Sequence, residues 1–599
     1  MVNERITENL IRNSFISLGY YERNDLTIEE QSSTYPRIDK LLKNASKKGS
    51  GQGYPEFIVA SKTLNDFVCV VECKADTSKH ISDTLDRYAD YAVDGAKLYS
   101  SYLSKEYDVL FIGASGQNEK EFKASHYLQL KGEKDIQPIV GDKILSFDSY
   151  VEAYKDVRFR HDYSNLIAYM GKLNKALHTH KIPEDKRAIL FSGILIALED
   201  TAFQNSYTSY NDPIRLGKFL VESIIAKLQG ANINTGRVHD MEQSFGFIKS
   251  HTALVDGGYL IELIKDVHNE VVTFVKSNQY FDILSRAYEE FLKYANNDKS
   301  LGIVLTPSHI TDLFCELANV DKDSVVYDNC CGTGGFLVSA MAKMVKQAKG
   351  DIDKINHIKE KQLIGVEYQD HIYTLCCSNM IVHGDGKTNI IKASCFDAVD
   401  KVKEYKPTAG LLNPPYKSDK ADIEELEFIL NNCESLEKNS LCVAIVPMSC
   451  VLAQKGEPLK LKERLLKEHT LEAVLSMPDD LFYPVGVVTA IIIIKAHQPH
   501  PEGYKSYFGY WKDDGFIKRK HKGRVDDKNR WQDIKQQWLL SYRNRESVAG
   551  LSVTKEVKAD DEWCAEAYME TDYSTLTESD FIKTIKDYVA FQFLHDDRL

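Results

Sequence analysis

Between residue 301 and about residue 497, short β-rich runs (SVVYD, QLIGVE, AGLLN, LCVAIVP, LEAVLSMP and VVTAIIIIK) alternate with helix-length stretches. Strands read as continuous apolar runs when helices cover both faces of a sheet, so this stretch is confined to an α/β fold with a mostly parallel sheet. The rest of a 599-residue chain needs further cores. Residues 1–150 join a helix-like opening to apolar runs at 57–60, 67–71 and 109–113, which predicts a small α/β domain. From 151 to 295 helix-period segments such as RAILFSGILIALEDTAF and LGKFLVESIIAKLQG dominate, and a helical connector is expected. Residues 296–500 then form the sheet domain, and 501–599 read as a polar C-terminal extension contacting DNA or another subunit.

Composition narrows the function classes. With 75 basic and 88 acidic residues the net charge is −13, which disfavours non-specific coating of DNA but leaves room for a local basic groove. The opening MVNERITENLIRNSF has no apolar core of a secretory signal. The longest apolar run, near 485–494, is broken by Gly486 and Thr489 and suits a buried strand, too short for a bilayer. No membrane association is expected. Twelve cysteines without CxxC pairs read as reduced thiols, which together place the chain in the cytoplasm.

Two constellations carry chemistry. In the first, the strand Val325-Val326-Tyr327 runs into Asp328-Asn329-Cys330-Cys331-Gly332-Thr333-Gly334-Gly335-Phe336 and then a helix. Glycines here let backbone N–H groups and a helix N-terminus come close to a ligand. The next strand ends in Glu367, where an acid commonly accepts from ribose hydroxyls, so a nucleoside-containing cofactor is expected at this edge. Each piece alone is unspecific, since a glycine turn is often only a tight turn and a strand-end acid is often only solvated. Asn413-Pro414-Pro415-Tyr416, directly after the apolar run 409–412, sharpens the reading. Its prolines stiffen the turn. The Asn413 side-chain oxygen and the Pro414 carbonyl then offer two acceptors to an exocyclic amine, and Tyr416 stacks on an extruded base. Methyl transfer from a sulfonium cofactor then needs mainly in-line positioning.

On these residues, the stretch from 301 to about 495 resembles the DNA amino-methyltransferases that modify adenine N6, and most closely the modification subunits of type I restriction systems. The order, with Thr306-Pro307 first, the glycine turn second and NPPY third, matches the family's gamma arrangement. The resemblance implies a Rossmann-like fold dependent on S-adenosylmethionine. Thr306, Pro307 and Asp328 would face the methionine end, with Gly332, Gly334, Gly335 and Phe336 forming the turn and Glu367 on the ribose. Two departures stand out. Asn329-Cys330 replaces the more usual proline and small residue, and Ser394-Cys395-Phe396 lacks the acid that reaches the cofactor's adenine, for which Asp397 is the substitute at hand. Protein-glutamine and RNA methyltransferases, which also present such a turn, are the competing readings.

The second constellation lies in the first domain. Pro55-Glu56 precedes one apolar run, and Glu72-Cys73-Lys74 closes the next. Residues two apart on a strand share a face, so Glu72 and Lys74 point together, and a hairpin would bring Glu56 beside them. Two carboxylates suit Mg²⁺, and a lysine can orient the attacking water for phosphodiester hydrolysis. E-x-K is more often a solvated strand edge. Here the pattern resembles the PD-(D/E)xK nuclease core, with Glu56 and Glu72 as metal ligands and Lys74 as the third catalytic group. Glu8 is read as a surface charge. The basic runs at 43–48 (KNASKK) and 518–524 (KRKHKGR) are candidates for phosphate contact, with a solvated loop as the plain alternative for each.

After residue 495 too little chain remains for a large target-recognition domain. The resemblance, extended to type IIB combined nuclease and methyltransferase subunits, implies a separate specificity subunit, a hetero-oligomer, and double-stranded DNA with a flipped adenine as substrate. The alternative is a methyltransferase-only subunit whose first domain binds DNA without cutting.

Overall fold

The computed structural model describes residues 3–47, 49, 51–231, 235–278, 282–292, 305–385, 389–483, 486–519, 523–573 and 577–595. The chain forms two compact units, Met1–Asn165 and Leu166–Leu599.

In the first unit a six-stranded sheet runs in the order β1 (Leu26–Glu29), β2 (Phe57–Ser61), β3 (Phe67–Lys74), β4 (Asp108–Ser115), β5 (Lys123–Gln129) and β6 (Ile136–Ile139). Only β3 and β4 pair in parallel, across the crossover helix α3 (Ala92–Leu103). Successive residues of β3 feed opposite cores. Cys69, Val71 and Cys73 pack with Ile11 and Phe15 of α1 (Glu4–Ser17), while Val68 and Val70 pack with Val93, Ala96 and Tyr99 of α3 and with Ile38 of α2 (Pro36–Leu42). Burial on both faces is why β3 reads as an unbroken apolar run.

The second unit opens with helices. α5 (Glu184–Leu198) is buried from Arg187 to Leu198, so it shows no amphipathic stripe, and it packs against α6 (Pro213–Gly230). The long helix α4 (Phe147–Thr179) runs through both residue 150 and residue 165 without a break, so no linker marks the expected boundary.

A nine-stranded, mostly parallel sheet follows, with the Rossmann-like α/β character expected of it. Its order is β17 (Ser552–Glu556), β14 (Lys505–Tyr510), β12 (Thr470–Ser476), β13 (Thr489–Lys495), β11 (Leu441–Pro447), β10 (Ala409–Leu412), β7 (Val326–Asp328), β8 (Leu363–Glu367) and β9 (Asn389–Lys392). From β11 to β9 every pairing is parallel, which sends the chain ends of β7, β8 and β10 to one edge. Three strands differ from expectation. β9 was not among the apolar runs, because its short core, Ile390-Ile391, is flanked by Asn389 and Lys392. β14 and β17 lie beyond residue 500, so the C-terminal segment completes the sheet instead of standing apart from it. Tyr507 and Trp511 anchor it, the first donating to Ser541 Oγ at 2.9 Å and the second stacking on Trp538 at 4.8 Å, both partners on α12 (Trp531–Asn544). Among the described residues no helix is long and apolar enough to cross a membrane.

Candidate functional site

Register places the first constellation. β10 pairs with β7 through Ala409↔Val326 and Gly410↔Tyr327, so the residues following these neighbouring strands, Asn413 and the glycine turn, emerge side by side. The strands on either side of β7 and β10 leave in opposite directions, the switch point where open α/β sheets hold ligands. A cavity of about 560 Å³ opens there. Thr306, Gly332, Gly335, Phe336, Glu367, Asn413, Pro414, Pro415 and Tyr416 line it. Pro307, Asp328 and Gly334 lie outside the lining. Pro307 starts the helix α8 (Ser308–Leu317), and Gly334, at φ +89°, starts α9 (Gly335–Gln347), where a side chain would sit 3.1 Å from Cys376 Sγ. Gly332, at φ +52°, faces open space, so a ligand can reach its backbone.

Asn413 Nδ2 donates to Thr306 Oγ1 at 3.0 Å, which turns its Oδ1 away from that hydroxyl. Pro414 is buried and Pro415 exposed. The Tyr416 ring meets Phe482 edge-on at 6.1 Å, and its buried hydroxyl has no hydrogen-bond partner among the described residues. Burial, followed by Cys450 and Glu425, holds that phenol well above its usual range. The turn is closed behind by Lys417 N donating to Glu425 Oε1 at 2.8 Å.

Glu367 accepts from Gly332 N at 3.1 Å through Oε2 and from Gln369 N at 2.7 Å through Oε1, and burial raises its pKa. Asp328 is fully buried. Its Oδ1 accepts from Cys330 N at 3.0 Å, while Oδ2 has no hydrogen-bond partner among the described residues. Burial pushes this carboxyl up to about 8.

Both departures from the family pattern have a place. Asn329 is buried and donates to Phe428 O and Asn431 Oδ1, each at 2.9 Å, tying the glycine turn to α11 (Glu425–Ser435). Asp397 lines the cavity beside Ser394 and Phe396. Residues that sequence reasoning missed also line it, among them Ser285, Tyr368 and Phe428. Tyr368 directly follows Glu367 and was findable; Ser285 sits in the helical stretch, with no motif near it.

In the first unit, β2 and β3 form an antiparallel hairpin with Phe57 opposite Val71, so Glu56 stands beside Glu72. Glu56 Oε2 accepts from Cys73 N at 3.1 Å. Glu72 is fully buried. Its Oε1 accepts from Lys74 Nζ at 3.0 Å and from Lys47 Nζ, and Oε2 has no hydrogen-bond partner among the described residues. Gly95 of α3 makes room for this side chain, since a Cβ there would lie 3.0 Å from Glu72 Cγ. Burial first, then the neighbouring charge of Glu72, raises Glu56 well above the carboxylate range. Glu4, not Glu8, reaches Lys74, at 3.1 Å. Among the described residues no group of three or more His, Cys, Asp or Glu side chains is gathered for a metal.

The basic runs are only partly free for phosphate. Lys47 is held on Glu72, Lys43 stands 3.8 Å from Asp39, and Lys48 lies outside the described residues. In the second run the Arg524 side chain is 8% exposed, 2.7 Å from Asp514 and 3.0 Å from Asp480, and Arg519 pairs with Asp527; residues 520–522 lie outside the described residues.

Comparison with known proteins follows the same lines. The model of the family described as N-6 DNA methylase matches residues 279–597. A type II restriction enzyme and methyltransferase, RM.BcgI of Heyndrickxia coagulans, is 33% identical, with the match spanning 99% of this chain and 97% of that protein. The methylase subunit of the type I restriction enzyme MpnII of Mycoplasma pneumoniae is 26% identical over 45% of this chain and 54% of its own length. Among solved structures, a modification subunit of a putative type I restriction enzyme from Vibrio vulnificus YJ016 aligns at a TM-score of 0.49 and 16% identity, covering 67% of this chain and 96% of that one.

Proposed function

Because the chain belongs to the N-6 DNA methylase family and is a DNA methyltransferase of the restriction–modification kind, we propose that it methylates adenine N6 in double-stranded DNA from S-adenosylmethionine, and that its first unit cleaves unmodified DNA with Mg²⁺. The carrying observation is the single cavity shared by the Gly332 turn, Glu367, Asn413 and Tyr416. Its volume falls in the range of roughly 300–1,000 Å³ typical of cofactor sites.

The cofactor, when bound, supplies an electrophilic methyl group on a sulfonium. The residues around it suit the rest of the task. Glu367 accepts from the ribose hydroxyls, and Thr306 faces the methionine end from the cavity wall, while Asp328, buried outside the lining, acts on the glycine turn through Cys330 N. Asn413 Oδ1 and the Pro414 carbonyl take the two amino hydrogens of an everted adenine, drawing the nitrogen lone pair out of ring conjugation and toward the methyl. Tyr416 stacks on the base, with Phe482 fixing the ring. Replacing Asn413 with Ala is expected to lower methyl transfer by at least ~100-fold with an unchanged circular-dichroism melt. Near-normal transfer of tritiated methyl would remove Asn413 from the chemistry.

For cleavage, the paired Glu56 and Glu72 and the buried Glu72 Oε2 fit a hard cation that would relieve their repulsion. Glu56 and Glu72 would hold Mg²⁺, which would supply Lewis-acid activation of a phosphodiester. Lys74, which donates to Glu72 and Glu4, would orient the attacking water. The match with a combined restriction enzyme and methyltransferase over nearly the whole chain supports this reading. Lys74→Ala is expected to abolish Mg²⁺-dependent cutting of unmethylated DNA; equal cutting would leave the alternative, a first unit that binds DNA without cleaving it. A separate specificity subunit, in a hetero-oligomer working in the cytoplasm, supplies target choice, as suits relatives described as methylase subunits.

A further inference from the structure

The helix α7 (Ile283–Leu292) precedes the sheet and belongs by sequence to the helical stretch, yet one of its faces reaches the methyltransferase cavity. Residues 282, 285 and 288 lie three apart and therefore on that face. Asp282 begins the helix, accepting from Ser285 N at 3.1 Å. Its Oδ1 also accepts from Asn379 Nδ2, at 2.8 Å, on α10 (Asp370–Val382). The same Asn379 amide donates to Thr333 O at 2.8 Å, so one buried side chain clamps the start of α7 to the glycine turn. Asp282 Oδ2 comes so near Gly335 that a Cβ there would lie 3.1 Å away. One turn on, Tyr288 is buried within reach of the Glu367 charge.

Ser285 is the residue of this face that lines the cavity. It is 8% exposed and Thr333 is 3% exposed, and their hydroxyls lie 2.6 Å apart. Of two hydroxyl hydrogens in such a pair, one is used between them and the other is left to donate to a third atom. The N-terminus of α7 is already capped by Asp282, while that of α9, two residues after Thr333, favours negative charge beside the pair. An anionic ligand group next to the glycine turn meets both conditions.

We infer that Ser285 is a cofactor-positioning residue: with Thr333 it binds the carboxylate at the amino-acid end of S-adenosylmethionine, so that the methyltransferase pocket is completed by a helix from outside the sheet domain. The proposal rests on the reading of this cavity as the cofactor site. It accords with a family match that begins at residue 279, ahead of α7.

The test uses equilibrium dialysis of the full chain with two probes, S-adenosylmethionine and 5′-methylthioadenosine, which lacks the amino-acid end. Ser285→Ala is expected to weaken S-adenosylmethionine about tenfold and leave methylthioadenosine unchanged, with Ser285→Thr restoring the loss. Unchanged S-adenosylmethionine affinity in Ser285→Ala, or equal weakening of both probes, overturns the proposal while the cofactor reading stands. Failure of the unsubstituted chain to bind either probe overturns the cofactor reading, and this proposal with it.

Discussion

Asp328 ends β7 with one oxygen satisfied by Cys330 N and the other without a hydrogen-bond partner among the described residues. Its pKa, about 8 in the folded chain against an ordinary 3.8, has a definite consequence. Between about pH 4 and pH 8 the folded state keeps a proton that the unfolded state has released, so this group makes stability fall as pH rises through that window and has no further effect above it. Asp328→Asn keeps the acceptor for Cys330 N and removes the titration. Thermal melts of the two chains are therefore expected to diverge in the variant's favour from pH 4 to pH 8 and to run parallel beyond; a constant difference across the window would remove Asp328 as its cause. At this scale the sequence was most legible where function is contiguous. Asn413, Pro414, Pro415 and Tyr416 are neighbours in the chain and line the cavity together, because a two-proline turn leaves the backbone little choice. Ser285 carries no such local mark, and Lys47 stood out only as part of a basic run, since each reaches its partner, Thr333 or Glu72, only through tertiary packing.

The central strands were read from their unbroken apolar runs, whereas β9, β14 and β17 were not. β9 and β17, at the sheet edges, bury less and carry polar residues, while β14 is buried through Ser506–Gly509 but its apolar run is interrupted by Ser506 and Gly509. β14 nevertheless pairs with β12, and the segment after it ties back through Trp563 N donating to Val451 O at 3.0 Å and Lys462 Nζ donating to Asp561 O at 2.7 Å. Removing residues 501–599 would expose the β12 edge and the core surface that Phe508, Val557 and Trp563 cover. Such a chain is expected to aggregate on size-exclusion chromatography instead of yielding a methyltransferase core, and a monodisperse, cofactor-binding fragment would show the opposite. Within β10, Gly410 has no room for a side chain, since a Cβ would lie 2.0 Å from Asn432 Oδ1. Gly410→Ala is expected to cost about 1–3 kcal/mol in chemical denaturation.

Over the whole molecule, the two sets of candidate residues fall in different compact units, Glu56, Glu72 and Lys74 in the first and the Asn413 cavity in the second. The two chemistries should separate under substitution. Glu72→Gln is expected to lose cleavage and keep methyl transfer at the parent rate, and Asn413→Ala to do the reverse; loss of both activities in either variant, with the fold intact, would contradict independent sites. The sequence by itself determined the class of sheet, the turn that follows β10 and the placing of Glu72 and Lys74 on one face of β3, because each depends on residues close along the chain and on side-chain periodicity. Tertiary structure alone decided that the last hundred residues complete the sheet, that Lys47 joins Glu72, and that a helix before the sheet lends Ser285 to the cavity. Those contacts link segments tens of residues apart or more, and no local propensity encodes which buried surfaces will meet.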